Sequence, residues 1–180
     1  MGNSGMFLDP PPESEAAGTL FAEALAGDGY VANYLRAWAW RPDVFVGYVD
    51  TRSALVKGST LTERDLAVLV TATAAERGDS YCSLAWGTRL ARLTDADAAA
   101  DVIGGGVPSA LSEREAALAS WARQVVRDPN GTTPSDVGGL RAAGLDDQAI
   151  FDATVFVALR LAFSTVNDAL GAAPDKQLAD

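Results

Sequence analysis

The sequence has 180 residues, 48% of them hydrophobic, with 14 basic against 24 acidic side chains, a net charge of −10, one cysteine and no histidine. A chain of this size buries one sizeable core, while the lack of imidazole excludes Ser–His–Asp and Cys–His nucleophiles and the usual imidazole metal sites. A single thiol excludes an intrachain disulfide and Cys-rich zinc sites, and a pI near 4.4 is the opposite of the basic footprint that nucleic-acid binding requires.

Met1 to Pro12 is small, polar and proline-rich, without the basic start and apolar run of a signal peptide, and reads as a disordered tail over residues 1–12. Helix signals follow from Glu13. Ala17, Leu20, Phe21, Ala24 and Leu25 share a helical face that Gly27 and Gly29 are expected to stop. A second helix is predicted over Tyr30 to Trp40, and a third begins at Pro42 and runs to about Val56, ending at Gly58.

Thr62 followed by Asp65 is a capping-box variant that opens a fourth helix reaching Arg77, which Gly78 ends. Asp79 is a good N-cap for a fifth helix over Ser80 to Leu93, and Thr94 is expected to open a short sixth that closes at Gly104 to Gly106. Ser112 with Glu115 forms a full capping box for a seventh helix carrying Leu118, Trp121 and Val125 on one face. Thr133-Pro134 starts a short eighth helix, and Asp146 caps a long ninth from Asp147 to about Leu170. No run alternates as a strand does. Ile150, Phe151, Val155, Phe156, Val157, Leu159, Leu161 and Phe163 cannot share one face, so the ninth helix is expected to be buried, centrally or in a subunit interface. Its apolar run from Ile150 to Phe163 is broken by Asp152 and Arg160 and falls short of a membrane span.

The segment richest in chemistry is Gly78-Asp79-Ser80-Tyr81-Cys82. With Asp79 as N-cap, Cys82 is the third helical residue, where free backbone N–H groups and the helix dipole favour a thiolate. The Asp79 carboxylate, accepting from the N–H of Tyr81 or Cys82, opposes this, leaving the thiol near its ordinary pKa of about 8.5 and slow to react. Cys82 also suits a small buried apolar position. Tyr81 is a candidate acid or a packing aromatic. Arg160 cannot shed its charge in an apolar helix, so it is expected to pair with Asp65, Glu76 or Asp79, or to face a carboxylate-bearing ligand beside Cys82. Asn167 is a candidate polar contact between helices.

Leu61-Thr62-Glu63-Arg64-Asp65-Leu66, an alanine-rich helix and then Gly-Asp-Ser-Tyr-Cys resemble the core of the alkylhydroperoxidase D-like and carboxymuconolactone decarboxylase superfamily. Leu140 to Ile150 followed by Phe163 to Gly171 is similar to the C-terminal signature of its peroxidase-related branch. The resemblance implies an all-α, AhpD-like bundle of about eight or nine helices forming a single domain over residues 13–174, with a C-terminal tail at 175–180. Active members of that family reduce peroxides with a Cys-x-x-Cys pair, a histidine four residues after the second cysteine and an upstream glutamate. Here Cys82 matches the second cysteine, Asp79 stands in place of the first, and Trp86 in place of the histidine. Ala67 falls where the glutamate belongs, and only a two-residue slip reaches Asp65.

Without a second thiol, an oxidised Cys82 stops at sulfenic acid until an external thiol resolves it. The expected function is therefore at most a one-cysteine peroxide or thiol oxidoreductase. The alternative is a catalytically degenerate relative that binds a small ligand or partner. The expected protein is cytoplasmic and homo-oligomeric, using no cofactor or metal and meeting neither nucleic acid nor membrane.

Overall fold

The computed structural model describes residues 6–178, and among them all regular structure is helical: nine α-helices, two single 3-10 turns and no strand. The helices are α1 (Glu15–Asp28), α2 (Asn33–Trp38), α3 (Pro42–Gly58), α4 (Glu63–Arg77), α5 (Ser80–Leu93), α6 (Ala96–Ile103), α7 (Glu113–Arg127), α8 (Pro134–Ala142) and α9 (Asp147–Ala169). The all-α fold expected from the sequence is the one observed.

Side-chain caps set most of the helix starts. Before α4, Thr62 Oγ accepts from the Asp65 N–H and the Asp65 carboxylate accepts from the Thr62 N–H, so two otherwise orphaned donors are satisfied reciprocally. Ser112 with Glu115 does the same for α7, and Thr133 with Asp136 for α8, whose first residue is Pro134. α3 ends at Gly58 as expected. Three expectations need correction. Gly27 lies inside α1, and only Gly29, at φ 78°, turns the chain out of it. α2 is confined to Asn33–Trp38. α6 starts at Ala96 with Asp95, not Thr94, as its cap, because only the Asp95 carboxylate accepts from the Ala98 N–H.

The described chain forms two compact units: residues up to Ala54 with those from Thr165 onward, and Leu55–Ser164. In the second unit α4 is buried through its whole middle. From Asp65 to Ala74 every residue is buried, because Ala67, Thr71, Ala72, Thr73 and Ala74 are small enough for α5, α6 and α7 to close in. Val68, Leu69, Leu90, Val102, Leu118 and Val157 complete this core. Within this chain α9 is buried in part. Ile150, Ala153, Phe156 and Val157 are buried, whereas Phe151 is 65% exposed and Val155 and Leu159 are only half-buried. At 23 residues α9 is long and apolar enough to cross a membrane by length and composition, which corrects the shorter sequence reading. Half of its apolar window is nevertheless buried inside the chain, and Asp152 and Arg160 are buried with it.

In the first unit Trp38 packs against the rings of Phe45 and Tyr48, and its indole N–H donates to Asn167 Oδ1 at 2.9 Å. Of the tail expected over residues 1–12, residues 1–5 lie outside the described residues; Met6 is buried and the Phe7 N–H donates to the Leu170 carbonyl. Asp175, in the expected C-terminal tail, accepts from the Asn33 N–H, and residues 179–180 lie outside the described residues.

Candidate active site around Cys82

The site is built where α4 hands over to α5. Gly78, at φ 77°, takes the left-handed conformation that ends α4, and the Asp79 N–H closes back on the Ala74 carbonyl. Asp79 thereby stands at the N-cap of α5. One of its carboxylate oxygens accepts from the Cys82 N–H at 2.8 Å, the cap anticipated from the sequence.

The other oxygen has a partner that the sequence did not reveal. Ser164, on α9, donates its hydroxyl to Asp79 Oδ2 at 2.5 Å, and the same hydroxyl lies 3.9 Å from the Cys82 sulfur. Arg160 is one helical turn earlier on α9, so it shares a face with Ser164. Its Nη2 donates to Cys82 Sγ at 2.6 Å. The guanidinium lies 4.8 Å from the ring centre of Phe163 and 5.9 Å from that of Trp86, within cation–π range. Arg89 sits over Trp86 as well, at 5.1 Å.

The carboxylate partners expected for Arg160 are taken by other groups. Asp65 pairs with Arg114 at 3.2 Å besides serving the α4 cap, Glu76 pairs with Arg127 at 2.6 Å, and Asp79 is held by its cap bond and Ser164. Among the described residues, Arg160 makes no ion pair with a carboxylate. It is 95% buried (5% exposed), and its Nε–H has no hydrogen-bond partner. Asp65 is thus no stand-in for the family's glutamate, and Ala67 is sealed in the core. Asn167 belongs to the first unit, where its Oδ1 accepts from the Trp38 indole N–H. Tyr81 is buried immediately before Cys82.

Cys82 itself is 3% exposed, and burial is the largest influence on its thiol, pushing the pKa up to about 11. Arg160 pulls the other way, while Asp79, through its charge and a hydrogen bond to the thiol, adds to the rise; Ser164 lowers it slightly. The expectation of a thiol near its ordinary value is corrected, and the reason is desolvation, which position on a helix does not disclose. At neutral pH the resting group is a protonated thiol between a carboxylate that can take its proton and a guanidinium that can steady the resulting charge.

The fold and the site define the class this far: an all-α protein with one buried thiol held by Asp79, Ser164 and Arg160, and with neither a second thiol nor an imidazole in its sequence. No family model matches the sequence, and no curated protein matches it significantly. Among solved structures, it is similar to the alkylhydroperoxidase AhpD core of an uncharacterized peroxidase-related protein from Ralstonia eutropha JMP134. The identity there is 22% and the TM-score 0.81, over 98% of this chain and 96% of that one. It is also similar to an uncharacterized peroxidase-related protein from Silicibacter sp. TM1040, at 19% identity and TM-score 0.83, over 98% of this chain and 95% of the other. The chain therefore has the AhpD fold over nearly its whole length.

Proposed function

We infer that the chain is a one-cysteine thiol oxidoreductase that reduces a hydroperoxide and is restored by an external thiol. The observation that carries this reading is the convergence of Asp79, Arg160 and Ser164 on the one thiol of the chain. The thiol proton passes to the Asp79 carboxylate, and the thiolate attacks one peroxide oxygen, forming an S–O bond as the O–O bond breaks. The displaced alkoxide or hydroxide takes the proton back from Asp79, so thiol plus hydroperoxide becomes sulfenic acid plus alcohol or water. One external thiol then condenses with the sulfenic acid, releasing water, and a second frees Cys82 as the external disulfide leaves. A cytoplasmic location, where such thiols are abundant, and a homo-oligomeric state belong to the same proposal.

A second reading, a degenerate family relative that holds a ligand without turnover, is favoured by the burial of Cys82 and its raised pKa. Intact-mass measurement after hydrogen peroxide treatment with a sulfenic-acid trap separates the two. One trapped adduct per chain, absent in Cys82→Ser, is expected; an unmodified wild-type chain leaves the ligand-binding reading in its place.

A further inference from the structure

We propose that Arg160 is a catalytic residue whose free Nε–H binds the oxygen transferred to Cys82, and that the oxidant is a small hydroperoxide, hydrogen peroxide foremost. This rests on the redox reading above and assigns the substrate class and the group that holds it.

The Arg160 guanidinium is planar and rigid. Its Nε–H and one N–H of Nη2 lie side by side and parallel, the fork with which arginine grips the two oxygens of a carboxylate or phosphate. In this chain one tooth of the fork is on sulfur, since Nη2 donates to Cys82 Sγ. The other tooth, Nε–H, is buried without a partner. A buried charged donor left unmade costs more than a neutral one, and arginine cannot relieve the cost by losing its proton. The vacant donor belongs to the same rigid group that holds the sulfur, within reach of an atom bonded to that sulfur.

A peroxide oxygen under attack by Sγ occupies that position, and so does the oxygen of the sulfenic acid once formed. As the O–O bond breaks, negative charge builds on the oxygens, and a preorganised cationic donor in a water-poor site stabilises that charge more than it stabilises the ground state. Phe163 and Trp86 against the guanidinium keep it from swinging away. Burial favours a small oxidant: with Cys82 3% exposed, hydrogen peroxide needs less rearrangement to reach the sulfur than a bulky aryl hydroperoxide does. After a second oxidation, Cys82 sulfinate carries two oxygens and can engage Nε and Nη2 together, as a carboxylate would.

The test compares two reactions of the same thiol. Wild type and Arg160→Lys are treated with hydrogen peroxide plus a sulfenic-acid trap, and separately with iodoacetamide, with rates read by intact mass at one pH. Lysine keeps the charge near the sulfur but loses the fork. Loss of a preorganised donor to the transition state lowers the peroxide rate by about a hundredfold, whereas alkylation, which transfers no oxygen, changes far less. Equal losses in the two reactions, or an unchanged peroxide rate, overturn the assignment and leave Arg160 as a support for the thiol alone. Should Arg160→Lys fail to fold, the wild type decides. Excess peroxide converts Cys82 to sulfinate, and an oxidised chain melting at or above the reduced one supports the fork; a lower melting temperature refutes it. A wild type that peroxide does not oxidise at all falls with the redox reading itself, an outcome distinct from either result on Arg160.

Discussion

The alkylation rate of Cys82 should rise with pH to a midpoint near 11, far above an ordinary thiol. The value follows from burial first, with Arg160 opposing it and Asp79 adding to it. At pH 7 a pKa of about 11 leaves about one chain in ten thousand as thiolate, against about 3% for a free cysteine, a deficit of about 300-fold. A more basic thiolate is the better nucleophile, and a Brønsted coefficient of about 0.4 returns about tenfold, so the net handicap is about 30-fold. Iodoacetamide alkylation from pH 7 to 12 reads the midpoint, which is independent of how slowly the reagent enters. Replacing Asp79 with Asn keeps a capping side chain but removes the charge, so the midpoint falls, yet it stays above that of a free thiol because burial persists. Stability carries the same signature. The folded chain holds the thiol proton more tightly than the unfolded chain, so the stability this confers is complete below about pH 8.5 and is lost as pH climbs through 11. Cys82→Ala should therefore flatten the alkaline fall in melting temperature. A wild-type midpoint below pH 9, or a higher midpoint in Asp79→Asn, would refute the reasoning.

Two further outcomes test the fold and the assembly. Leu118 is fully buried in the core around α4, so Leu118→Ala should cost about 2–5 kcal/mol in urea unfolding; a cost under about 1 kcal/mol would mean the site collapses around the deletion. On α9, Phe151, Val155, Ala158 and Ala162 form an incompletely buried apolar stripe at helical spacing. Light scattering at micromolar concentration should give at least a dimer, which Phe151→Glu should shift toward monomer, and a monomeric wild type would count against oligomerisation.

Local signals made most of the fold legible. Thr62 with Asp65, Ser112 with Glu115, Thr133-Pro134 and Asp79 each act on backbone donors within three residues, so their effect is written in adjacent letters. Gly27 misled because a glycine inside a helix costs only about 1 kcal/mol and does not by itself end one. The site was half legible. Cys82 and Asp79 were found together because one helix start holds both, but Ser164 and the true partner of Arg160 depend on how α9 packs against α5, far along the chain. The one sequence hint was spacing: Ser164 follows Arg160 by four residues, one turn on the same face. Opposite-charge pairing was a reasonable guide to Arg160, and it failed because three other groups had already occupied the nearby acids: Arg114, Arg127 and Ser164.

The short joint between α4 and α5 leaves the spacing of a second thiol before Cys82 to one side chain and not to the backbone. Position 79 has φ −77° and ψ 99°, a conformation open to any L-residue, and Cys82 follows one turn later. Exchanging Asp79 for cysteine would create a Cys-x-x-Cys spacing without a change of architecture. It would also strip α5 of its oxygen cap, leave the Ser164 hydroxyl without its acceptor, and remove the only carboxylate hydrogen-bonded within the cluster. Position 79 is therefore a fork between two chemistries on one scaffold, and the carboxylate now there is held in place by its ties to two helices.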